Sequence, residues 1–442
     1  MKNMFILSFI LFLLSSSVCG QTAKEQMPLI GEDRSVTFKY RNSEEKNVIV
    51  EGSFTEAKNM ALIDRTWILH VDSLPSEMYT YSFYDGKKKF LDPCNPNVVR
   101  DITDTLNYFI VDGFPGSYYK KQNVPHGKVR QLWYPSSFNE NMKQRRLSVY
   151  LPADYDVNLK KTYPVLYLLH GTGGDEMAWL DMGRLSQIMD NMIAQGKAKP
   201  MIVIMPNGIV DLDAAPGQSP YMQGKASRSN VSSWMGRTEK AFSEEIIPFV
   251  EKTFRVESDK QHRAIAGLSM GGLHTIAISA NNPTMFDYVG LFSPQSINPL
   301  TDKNIMHIQK VNAQVEKIKD KLPDWLKQKY EKGKDVIEDV DVYQNLDNKL
   351  KNQFKTPPQL YYIAIGRKDP LKTFLDKFRK RLSKQGATYL YNETDGAHSW
   401  ENWRKYLLDF FTSYFLIINY YDNERNYSTD TGECVAFSRF RL

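Results

Sequence analysis

The chain has 442 residues, more than one hydrophobic core usually organises, and its 42% hydrophobic content is ample for packed cores, so a large domain with a smaller companion is expected. The net charge of +6 comes from scattered rather than clustered basic residues and points to neither a nucleic-acid nor a membrane partner.

Residues 1–20 read as an address. Lys2 precedes an apolar run from Met4 to Leu14, and Val18-Cys19-Gly20 supplies small residues before Gln21. A cleaved signal peptide and export to the periplasm or beyond are expected. A membrane span needs about 20 apolar residues, and this run is shorter. Cys19 as a lipid acceptor is disfavoured by Val18 in front of it. Cleavage would leave Cys94 and Cys434, for which a disulfide and two thiols are equally open. No Cys and His group has metal-ligand spacing, so neither a metal nor another cofactor is expected.

From Ser35 to Asn95 the pattern is short strands and turns. Val36 to Tyr40, Asn47 to Gly52, Trp67 to Val71 and Tyr79 to Phe83 are strand-like, and Asp85-Gly86 marks a hairpin turn. A small β-sandwich is predicted. Leu91 to Pro96 breaks regular structure, and the stretch to about Gly127 reads as a linker with one or two further strands, closing a first unit over 21–125.

The rhythm changes from Arg145. Val165 to Leu169, Met201 to Met205, Ala264 to Ala266, Tyr288 to Phe292 and Leu360 to Ile365 are short apolar runs separated by helical segments. Strands buried on both faces have this character, so an α/β unit over 126–415 is predicted, its mostly parallel sheet flanked by helices. Asn304 to Lys355 is charged and helical in pattern, an insertion serving either as a lid or as elaborated surface. Residues 416–442 form a C-terminal tail.

Gly267-Leu268-Ser269-Met270-Gly271 follows an apolar strand and precedes a helix-like segment, the strand–turn–helix setting in which small flanking residues expose a nucleophilic serine. Such a serine needs a base to take its proton. Of seven histidines, His398 alone follows the last predicted strand, Ala387 to Asn392, in a Gly-containing loop. The carboxylate that orients the base is expected at Asp369, in the turn after Ile365, with Glu393 and Asp395 as rivals in the histidine's own loop. An oxyanion hole requires backbone N–H groups already in place. Met270 is expected to supply one and Thr172 the other, with Gly173 as alternate, from the loop His170-Gly171-Thr172-Gly173-Gly174.

These motifs, together with Pro125-His126-Gly127, Tyr163 to Gly171, Gly174-Asp175-Glu176 with Trp179, Ile247 to Glu251 and Gly396 to Trp400 with Trp403, closely resemble the esterase D-like family. More narrowly they resemble its carbohydrate esterase family 1 branch of feruloyl and acetyl xylan esterases, over about Pro125 to Phe415. Ser35 to Pro96 is similar to the immunoglobulin-like early-set domain, akin to carbohydrate-binding family 48, that often precedes such esterases. The resemblance implies an α/β-hydrolase fold, with Ser269, Asp369 and His398 as the triad and Thr172 and Met270 as the oxyanion hole. The insertion and the tail depart from the family pattern and bear on substrate range.

The expected activity is hydrolysis of feruloyl esters on plant polysaccharide such as xylan, through an acyl-enzyme intermediate. Trp179, Tyr221, Trp234 and Trp400, with Met182 and Met222, are the expected substrate-binding side chains, since aromatic rings stack on a hydroxycinnamoyl group or a sugar. An acetyl xylan esterase and a siderophore trilactone esterase are the rivals among enzymes. A non-catalytic carbohydrate-binding protein is the rival from another class, against which the complete triad argues. The sandwich is expected to support or rim the active site rather than to bind polysaccharide alone.

Overall fold

The computed structural model describes residues 27–41, 47–138, 143–218, 235–295, 314–324, 326–327 and 339–427. The expected leader with Cys19, the side chains Tyr221, Met222 and Trp234, residues 304–313 and 328–338 of the expected insertion, and Cys434 lie outside them. Cys94 is half-buried.

Two antiparallel sheets come first. One has the order Leu29–Ile30, Val36–Tyr40, Thr66–Val71, Ala61–Ile63. The other runs Thr55–Asn59, Ile49–Gly52, Met78–Asp85, Asp104–Ile110, Val98–Asp101, with Lys88–Phe90 beside Met78–Asp85 across the expected turn at Gly86. Period-2 alternation sends Val36, Phe38 and Tyr40 from the first sheet and Tyr79, Tyr81 and Phe83 from the second into one aromatic core. Phe38 and Tyr81 meet there edge to face at 4.9 Å.

The stretch read as a linker holds the last two strands of this second sheet. In Asp104–Ile110 both faces are covered: Phe109 turns into the sandwich core while Leu106, Tyr108 and Ile110 pack against the following domain.

The larger domain is an eight-stranded mixed sheet in the order Lys128–Pro135, Gln144–Leu151, Ile202–Pro206, Val165–Leu169, Arg263–Leu268, Tyr288–Phe292, Leu360–Gly366, Leu390–Thr394. Gln144–Leu151 runs antiparallel to both neighbours, and the last six strands are parallel. Alternate residues feed two cores. Val165, Tyr167 and Leu169 face the helices Ile247–Thr253, Met270–Asn281, Leu346–Gln353 and Lys372–Lys384, whereas Leu166 and Leu168 face Leu185–Ala194 and Trp400–Tyr427. This two-sided burial is why the strands read as unbroken apolar runs. No described helix is long and apolar enough to cross a membrane.

The second core continues into the sandwich, taking in Met78, Val99, Tyr118 and Tyr119. Arg404, 1% exposed, sits at this joint. Its Nε donates to Glu77 Oε1 at 3.1 Å, and its two Nη atoms donate to the Met182 and Met78 carbonyls at 2.8 Å each. Its guanidinium lies 5.2 Å from the Tyr119 ring centroid. Removing Arg404 would leave the buried Glu77 carboxylate to the more exposed Lys405, 3.4 Å from its Oε2. Arg404→Met is therefore expected to destabilise the protein by about 3 kcal/mol, seen as a lower urea midpoint, with Arg404→Met plus Glu77→Gln costing less than the single change. A single-variant loss within about 0.5 kcal/mol would mean that the joint does not depend on the pair.

Candidate active site

Ser269 lies between the strand Arg263–Leu268 and the helix Met270–Asn281, with φ 51 and ψ −115. A side-chain-bearing residue in such a conformation costs on the order of 1–3 kcal/mol and persists only where its surroundings over-determine it. Here they do. Ser269 N–H donates to Phe292 O at 2.9 Å, and its carbonyl accepts from Gln295 N at 2.8 Å. A side chain on Gly267 would collide with the Gly271 backbone, and one on Gly271 would strike the Leu169 and His170 carbonyls. Only glycine at both positions lets the turn close against the neighbouring strand.

His398 follows Leu390–Thr394 in a loop that turns through Gly396 at φ 97. Its Nε2 is 3.0 Å from Ser269 Oγ and its Nδ1 is 2.9 Å from Asp369 Oδ2. Asp369, after Leu360–Gly366, is buried, and its Oδ1 accepts from Leu371 N at 2.8 Å. Burial pushes the Asp369 carboxyl up, but the bonds from His398 and the Leu371 N–H outweigh it and hold the group below the usual carboxylate range. An ionised Asp369 accepts Nδ1–H, which leaves the Nε2 lone pair facing the serine hydroxyl. The Trp403 ring stands edge-on to the imidazole at 4.9 Å.

The rival carboxylates point elsewhere. Glu393 bonds the Tyr391 hydroxyl at 2.7 Å and pairs with Lys372 at 3.2 Å. Asp395 is exposed and pairs with Arg367.

Met270 opens the elbow helix, so its N–H lies at the positive end of the helix dipole beside the serine. Thr172 is exposed in the turn after Val165–Leu169, and Gly173 takes φ 82. His170 clamps this loop: its Nδ1 is 2.8 Å from Gly171 O, and its Nε2 accepts from Gly208 N at 2.7 Å. Burial lowers the His170 pKa, in keeping with a neutral ring that carries its proton on Nδ1.

The expected substrate-facing aromatics are less uniform. Trp179 is 1% exposed, donates Nε1–H to Leu169 O at 3.0 Å and packs edge-on to Trp400, so its ring belongs to the core and is not open to a ligand. Apolar packing under the loop wins over exposure at this position. Trp400 is half-buried, also against Trp403, with Nε1 3.4 Å from Asp101 Oδ1 of the sandwich. Met182 is buried.

Two groups that support the site carry no local sequence signal. Arg100 of the sandwich makes a two-pronged pair with Asp175, both contacts 2.8 Å, just beyond the Gly-rich loop. Below the elbow helix, Glu239 bonds buried His274 at 2.6 Å and also Tyr343.

Residues 137–413 match the family model Esterase, described as "Putative esterase". An endo-1,4-beta-xylanase/feruloyl esterase of Xylanibacter ruminicola is 36% identical over 185 residues, which are 41% of this chain and 24% of that protein, so the match spans about a quarter of that relative's length. A CE1 ferulic acid esterase from the anaerobic fungus Anaeromyces mucronatus is 20% identical and covers 69% of this chain and 97% of its own, with a TM-score of 0.49. The enterobactin esterase of Shigella flexneri is 13% identical, covers 87% of this chain and 94% of its own, and has a TM-score of 0.57, a likeness of fold. With more than half of its length matched by that family model, the chain belongs to the Esterase family.

Proposed function

We propose that the chain is a serine carboxylic-ester hydrolase that removes feruloyl groups from plant cell-wall polysaccharide such as xylan. The observation that carries the chemistry is the hydrogen-bonded line from Ser269 Oγ through His398 to Asp369, standing on the strained elbow. Ser269 Oγ attacks the ester carbonyl carbon as its proton passes to His398 Nε2, and Asp369 stabilises the imidazolium. The Met270 and Thr172 N–H groups hold the oxyanion. Collapse of the tetrahedral intermediate releases the sugar alcohol with that proton and leaves an acyl-serine. A water activated by His398 then frees the acid and regenerates the serine. The division into a sandwich up to about residue 125 and a hydrolase unit over 126–415, and export directed by residues 1–20, belong to the same reading.

The choice of a feruloyl group is supported by the Xylanibacter ruminicola relative named for that activity. A siderophore trilactone is the second reading, supported by the likeness to an enterobactin esterase over a share of the chain larger than the eight-stranded domain. Comparing kcat/KM on methyl ferulate with that on enterobactin separates the two, with methyl ferulate expected to be the better substrate. A preference for the trilactone would overturn the feruloyl assignment and keep the chemistry.

Ser269→Ala should lower kcat by about 10⁶-fold, and adding Asp369→Asn should cost little more, because residues of a triad act as a unit. Asp369→Asn alone should cost about 10⁴-fold with the fold intact, since an amide favours the wrong imidazole tautomer. Asp395→Asn, at an exposed ion pair, should leave kcat nearly unchanged. Covalent labelling by a fluorophosphonate should disappear in Ser269→Ala. Full activity in Asp369→Asn with collapse in Asp395→Asn would reverse the assignment of the acid.

A further inference from the structure

The sandwich meets the Gly-rich loop at the two-residue turn Ile102-Thr103 between the strands Val98–Asp101 and Asp104–Ile110. Ile102 has φ 56. At the first position of a two-residue hairpin loop, a left-handed φ is ordinarily met by glycine, and for a β-branched residue it is a strong outlier. The residue that suits the backbone least is therefore the one present. Its side chain is nevertheless left 42% exposed.

What Ile102 does touch is the loop expected to bind the oxyanion. A Cβ built on Gly173 would meet Ile102 Cδ1 at 3.1 Å, so the isoleucine lies directly against that loop. The turn is locked in place on both sides. Arg100 donates to the Ile102 carbonyl at 2.5 Å while gripping Asp175, the residue after Gly174, with both arms. Asp175 Oδ1 in turn accepts from Met177 N at 2.9 Å. On the other side, Asp101 Oδ1 lies 3.4 Å from Trp400 Nε1, and Trp400 packs on Trp403, which stands against the His398 ring. The turn that carries this strained, exposed, apolar residue is thus tied to the Gly-rich loop by the Arg100–Asp175 ion pair and to the histidine loop through edge-to-face rings.

We infer that Ile102 is a specificity-determining residue: it forms an apolar wall, contributed by the sandwich, against which the aromatic acyl group of the ester packs. This rests on the ester-hydrolase reading above and names one side of its acyl site. Strain kept at an exposed position is accounted for when the side chain serves a ligand and not the fold. An acetyl group is too small to use such a wall, whereas a feruloyl ring offers a flat apolar face.

The experiment uses the full chain with Ile102→Ala and Ile102→Gly, and reads kcat/KM on methyl ferulate and on p-nitrophenyl acetate beside the thermal midpoint. The ratio of the two kcat/KM values should fall roughly tenfold in both variants, mainly through KM for the ferulate, as expected when one apolar contact is lost from an acyl pocket. Ile102→Gly should also raise the midpoint, because glycine relieves the backbone while the wall is lost. Ile102→Val should keep most of the ratio. A ratio within twofold of the original in both variants would overturn the proposal, as would a midpoint that falls in Ile102→Gly, since that would make Ile102 a packing residue. The acetate arm reads the chemistry separately: hydrolysis that is lost in Ser269→Ala but persists in the Ile102 variants assigns a changed ratio to the wall and not to the nucleophile.

Discussion

The site depends on a steric constraint at the strand–helix junction. Ser269 can hold φ 51 only because Gly267 and Gly271 let the elbow press against the end of Val165–Leu169, and because the next strand supplies Phe292 O to its N–H. Parallel strands then do the rest. The Gly-rich loop, Ser269, Asp369 and His398 each follow a different one of four parallel strands, so all four arrive at the carboxyl edge of one sheet. Ligands in open α/β sheets gather at that edge for the same reason.

The electrostatics around the elbow are graded by burial and partners. Asp369 is buried yet ionised, since it is compensated by the His398 ring and a backbone N–H. His170, nearby and fully enclosed, is kept neutral and serves as a clamp between two loops. Two imidazoles close to one serine thus have different duties. The one with a carboxylate partner can accept a proton, and the one whose Nε2 already accepts the Gly208 N–H cannot do so without losing that bond.

That Ser269, His398 and Asp369 meet was legible in the sequence because each follows a strand by a short turn, and that pattern is local. The same locality explains the failures. The one or two strands expected in the linker are Val98–Asp101 and Asp104–Ile110, but their place in the sandwich sheet was not legible, because Asp104–Ile110 turns its other face to another domain. Trp179 and Trp400 both stand near motifs, yet one is sealed in the core and the other half-open, since closeness in sequence carries no information on which way a ring turns. Arg100 with Asp175 and Arg404 with Glu77 join residues 75 and 327 positions apart, beyond the reach of any periodicity.

These long-range pairs change what the sandwich is. A tethered module would meet its neighbour through a modest polar interface, and relative motion would be the default. Here Met78, Val99, Tyr118 and Tyr119 lie in the same core as the sheet's own Leu166 and Leu168. The helix Trp400–Tyr427 begins just after His398, and Asn402 within it donates to Ala397 O at 2.8 Å, tying the base's loop to the helix. Two residues further along, Arg404 is fixed by Glu77 and Met78 of the sandwich. The placement of His398 to within a hydrogen bond of Ser269 is therefore set from two directions, by Asp369 on its own sheet and by a buried ion pair that crosses into the sandwich. Hydrogen-bonded lines of this kind are sensitive to shifts of about 1 Å, so a domain anchored that close to His398 bears on how its ring meets Ser269.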